Sequence, residues 1–77
     1  MTDAPLLAVS HSDKLLHDIL VLNEDIKSRR PDRVGQAQPT VKKAIETTLN
    51  CYRHGGCTGD AIKGLERMEA TLRNLAK

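Results

Sequence analysis

Apolar positions recur with helical spacing in three stretches of this chain, and prolines or glycines stand between the stretches. Leu15, Ile19, Leu22 and Ile26 follow one another at 4-3-4 spacing, which sets them along one side of a helix. Leu16 and Leu20 widen that side, and Val21 falls outside it. The second stretch carries Val41, Ile45, Thr48, Leu49 and Tyr52, with Ala44 beside them. The third carries Ala61, Leu65, Met68, Leu72 and Leu75 at 4-3-4-3 spacing, with Ile62 alongside.

Local chemistry supplies the ends. Ser10 or Ser12 offers a capping oxygen to the first helix, and Asp13 puts negative charge at its start. Pro31 disfavours a helical residue before it, so that helix should end near Arg29. Residues 31–38 then read as a loop, with Pro39 at the first position of the second helix. Gly55 suits a left-handed residue after that helix, and Thr58 caps the third. Gly64 interrupts the third helix; close approach of another backbone is the preferred reason, and plain tolerance of an exposed glycine is the alternative.

The pattern predicts helices over 12–29, 39–53 and 58–76. The expected fold is all-α, a three-helix bundle in which helices 2 and 3 form an antiparallel hairpin and helix 1 packs across them. Residues 1–11 are set apart as an N-terminal arm, with Leu6, Leu7 or Val9 available to dock; residues 12–77 form a single helical domain.

Composition adds a doubt about self-sufficiency. Tyr52 is the one aromatic residue among 77, so the stripes lack bulk. A second copy would complete the core, and a homodimer is expected. The contact residues would come from helix 1 (Leu15, Ile19, Val21, Leu22, Ile26) or helix 3 (Leu65, Met68, Leu72, Leu75). No apolar run approaches the roughly 20 residues that span a bilayer. With no secretory pattern at the N-terminus, and two cysteines too few for a disulfide scaffold, the expected setting is the cytoplasm.

Candidate chemistry is sparse. Cys51, His54 and Cys57 have the spacing C-x2-H-x2-C, but a structural zinc site needs a fourth ligand. Zinc and a disulfide are both alternatives; the preferred reading is Cys51 as a small buried residue and Cys57 as a loop thiol. No nucleophile, base and orienting group converge, so no enzymatic activity and no cofactor are expected. Lys27, Arg29, Arg30, Arg33, Lys42 and Lys43 gather around the first loop and could contact phosphates. Acidic Asp60, Glu66 and Glu69 make helix 3 a poor recognition helix. The expected function is therefore regulation: binding, and inhibiting, another protein through helical surfaces. A small DNA-binding regulator using the basic cluster within 27–43 is the alternative.

Overall fold

A computed structural model describes residues 6–77; the first five residues of the expected arm lie outside that range. The chain folds into three helices, α1 (Val9–Arg29), α2 (Val34–Arg53) and α3 (Gly59–Leu75). A single 3-10 turn, Pro31–Arg33, joins the first two. Among the described residues there is no strand. The radius of gyration is 13.3 Å, against roughly 11.5 Å for a globule of this length. The molecule is a rod, 49 Å long and 18 by 17 Å across.

Two helix starts differ from expectation. α1 begins at Val9, and neither serine caps it; Ser12 instead donates its hydroxyl to the Val9 carbonyl at 2.7 Å. The predicted loop 31–38 is mostly helix, with Pro39 inside α2. Proline there removes one helical hydrogen bond and crowds the carbonyl four residues back, that of Gly35. What offsets this is packing. Continuing the helix back to Val34 places Ala37 fully inside the core and packs Val34 against it.

The core side of α2 is thus Val34, Ala37, Val41, Ala44, Thr48 and Cys51, a 3-4-3-4-3 series of small residues. Small side chains let neighbouring helices approach closely. Its bulkier neighbours Ile45, Leu49 and Tyr52 are left exposed. Opposite, Ile19 and Ile26 of α1 and Leu65 and Leu72 of α3 are wholly buried. Asn23 also sits in the interior, and its side-chain oxygen has no hydrogen-bond partner among the described residues.

The α2–α3 turn follows the expected glycine chemistry. Gly55 has φ +74°. Its N–H donates to Tyr52 O and that of Gly56 to Cys51 O, the paired bonds of a Schellman ending. Thr58 caps α3, its hydroxyl accepting from Ala61 N–H at 3.1 Å. Gly64 departs from expectation: a Cβ there would meet only Met68 Cε, at 3.9 Å, and no backbone.

Residues 6–8 dock on this turn. Leu7 and Cys57 exchange two backbone hydrogen bonds, at 2.7 and 2.8 Å. Leu6 lies over Gly56 so closely that a Cβ on Gly56 would stand 2.7 Å from Leu6 Cβ, which only glycine accommodates.

Candidate functional site

The residues expected to contact a partner divide sharply. Ile19, Ile26, Leu65 and Leu72 are buried within one chain, and Leu15, Leu22, Met68 and Leu75 pack half-buried against them. They form the intramolecular core, because three stripes from one chain close on each other. Val21 alone among them is exposed.

A different apolar surface remains open. Ile45, Leu49 and Tyr52 recur at 4-3 spacing and form one side of α2. Tyr52 donates its hydroxyl to Asp13 Oδ1, so this side borders α1, which runs antiparallel. Leu20 lies seven residues, about two turns, beyond Asp13 and shares that border. Val21 follows it on the outer surface of α1. These five side chains are 39–54% exposed. Sequence reading joined Ile45, Leu49 and Tyr52 with Val41 and Thr48 in a single stripe, and so did not separate the two sides of α2.

Charged groups edge this surface. Asp13, His17 and Glu24 lie at four- and seven-residue steps along α1. Lys42, Glu46 and Arg53 flank the apolar line of α2. The hydrogen bond to Asp13 raises the Tyr52 phenol above its ordinary value, with desolvation and the carboxylate charge adding to it. The folded state therefore favours the neutral phenol. That stabilisation is complete below the unfolded value near pH 10 and is lost as pH rises through the higher folded value. With one tyrosine and no tryptophan, tyrosinate absorbance reads this group directly. Asp13→Asn should bring its titration back toward the ordinary range; an unchanged titration would remove the carboxylate as the cause.

The basic cluster is partly spent on the fold. Lys27 pairs with Glu24 at 3.0 Å and Arg29 with Asp25 at 3.3 Å. Arg33 donates to the carbonyls of Leu75 and Lys77, at 3.0 and 3.1 Å, tying the 3-10 turn to the end of α3. It is a capping residue, because orphan carbonyls at a helix end take a guanidinium well. Arg30 remains exposed, as do Lys42 and Lys43. The two lysines are consecutive on α2, about 100° apart, and face different sides.

Cys51 is buried as expected, but its sulfur is bonded to Cys57, which is itself wholly buried in place of the loop thiol expected; the two Cα atoms are 4.7 Å apart. The Schellman turn folds the chain back and brings them within bonding range. Neither sulfur is a thiolate in this form, so neither offers a zinc ligand or a nucleophile to His54. The cysteine argument for a reducing cytoplasm also loses its basis, since such bonds persist in oxidising compartments. Beside the disulfide an open groove of about 510 Å³ runs past Leu6, Thr47, Asn50 and His54. His54 Nδ1 is already 2.8 Å from the Asn50 carbonyl.

On the α1–α3 side, Glu69 approaches Asp18. Burial and a hydrogen bond shared with Asp18 raise the Glu69 carboxyl, while Arg73 opposes the rise. Glu66 adds its charge to the same pair. Among the described residues no group of three or more His, Cys, Asp or Glu side chains is placed to hold a metal ion. No helix among them is long and apolar enough to cross a membrane. Comparison with protein-family models, with curated proteins and with solved structures finds no significant match.

Proposed function

We propose that this is a small non-enzymatic regulatory protein that acts by binding another protein, and blocks its activity, through the α1–α2 surface. The observation that carries the reading is the apolar face of Leu20, Val21, Ile45, Leu49 and Tyr52. Covering the exposed halves of five such side chains is worth roughly 4–7 kcal/mol before the costs of association. Aromatic and aliphatic centres with charged rims are the usual anatomy of interfaces. The homodimer expected from the sequence belongs to this reading, with its contact moved from the core stripes to this face.

Several observations weigh against the DNA-binding alternative. Two of its six basic residues are ion-paired and a third caps α3. Exposed pairs are individually weak, but they lower the net charge offered to phosphates. The acids of α3 stand unchanged.

The test is capture of a partner from nuclease-treated lysate by the full chain and by Leu49→Asp. Leu49 is half exposed, so the variant should keep its helical circular dichroism. A partner retained after nuclease and lost with Leu49→Asp is the expected result. One that disappears on nuclease treatment would favour nucleic acid.

A further inference from the structure

We infer that the α1–α2 face is completed by a second copy of this chain, related by a two-fold axis parallel to the helices. The inference rests on the reading of that face as a docking surface and names its occupant in the free protein, a second copy that a target protein would have to displace. Three observations point the same way.

The first is charge order. Asp13 touches Tyr52, which fixes the level of α1 against α2. Eleven residues on from Asp13, about 16 Å along α1, stands Glu24. Ten residues back from Tyr52, about 15 Å along α2, stands Lys42. Arg53 is one residue from Tyr52, level with Asp13. The α1 edge therefore carries acids at two levels, and the α2 edge carries bases at the same two levels.

A two-fold axis parallel to the helices preserves level and exchanges edges. It lays α1 of one copy over α2 of the other, antiparallel, as in a four-helix bundle. Asp13 then faces Arg53 of the second copy, and Glu24 faces Lys42, each twice over. Glu46 comes level with the segment from His17 to Val21. Glu24, now paired with Lys27 at 3.0 Å, can hold both lysines at once because its two oxygens accept independently.

The second observation is that the apolar line sits between those edges: Leu20 comes level with Ile45 of the facing copy, and Leu49 and Tyr52 continue the line from there toward the level of Asp13. The third is shape. The α1–α2 side is about 31 Å long, the length of the 21-residue α1, and 18 Å wide, so it offers roughly 560 Å² in flat projection and more over its contoured surface. A standard interface takes about 800 Å² from each partner. An elongated chain with one apolar side can meet that requirement by lying flat against itself.

The experiment is a charge exchange on the whole chain, read by light scattering and sedimentation at low salt. The wild type should be a dimer. Glu24→Arg and Lys42→Glu, each alone, should weaken self-association by about three- to tenfold, since each sets like charges opposite each other at two places. Mixed in equal amounts, the two variants should recover the wild-type affinity, because both facing pairs are restored in the heterodimer. Leu49→Asp should be monomeric with its helix content intact.

A monomeric wild type at the highest soluble concentration overturns the inference. So does a mixture no tighter than its components, or a Leu49→Asp protein that remains a dimer. A monomeric wild type leaves the broader reading to be judged by the nuclease-resistant capture, so the two failures are distinct.

Discussion

Leu72→Asp should abolish the helical fold rather than separate two copies. Leu72 is wholly buried, in the one cluster that α1, α2 and α3 share. Truncating a buried leucine costs about 2–5 kcal/mol through lost transfer energy and the cavity left behind. The new carboxylate adds the cost of an unpaired charge or of taking up a proton in an apolar site. A chain of this length has on the order of 4–12 kcal/mol in total. The expected result is loss of most far-ultraviolet helical signal at 25 °C. Leu49→Asp, half exposed on α2, should keep it, since its substitution empties no cavity. A folded, monomeric Leu72→Asp protein would instead return the third stripe to the interface role read from its spacing.

Reduction of the Cys51–Cys57 disulfide should lower the melting temperature by roughly 10 °C. The bond links residues six apart and closes a short loop. Chain entropy for so small a loop gives about 2 kcal/mol. In a domain of this size each kcal/mol is worth about 4–8 °C. Cys51→Ala with Cys57→Ala should behave like the reduced wild type. The effect should also be local. Cys57 is the residue that pairs with Leu7, so amide exchange at Leu7 and Cys57 should accelerate more than at Ile19 or Leu65. Identical melting curves with and without a dithiol reductant would count against a stabilising bond here.

The all-α class and the three helices were legible in the residues, because each rests on local rules. Helix ends were readable where one residue type is required by geometry. Gly55 is such a residue, since its φ of +74° is one that side chains resist. Thr58 is another, placing a hydroxyl within reach of Ala61 N–H. Local rules failed at Pro39. They count the missing hydrogen bond but not the burial of Val34 and Ala37 that continuing the helix secures. They failed likewise at Ser10 and Ser12, where the chain began its helix earlier and left the serines inside it.

What only the tertiary structure decided is which of two apolar sides of α2 turns inward. The sequence offers a small side, running from Val34 through Ala37, Val41, Ala44 and Thr48 to Cys51. It also offers a bulky one, of Ile45, Leu49 and Tyr52. Transfer energies rank the bulky side first. Close approach of three helices in a rod 18 Å across favours the small side, a choice that depends on neighbours absent from any local window. The same holds for Arg33, whose partners lie 42 and 44 residues away, and for Cys51, whose sulfur meets Cys57 only once the turn is built. Spacing along the chain determines which residues share a side of a helix. Which side is left for a partner follows from how the helices fit one another.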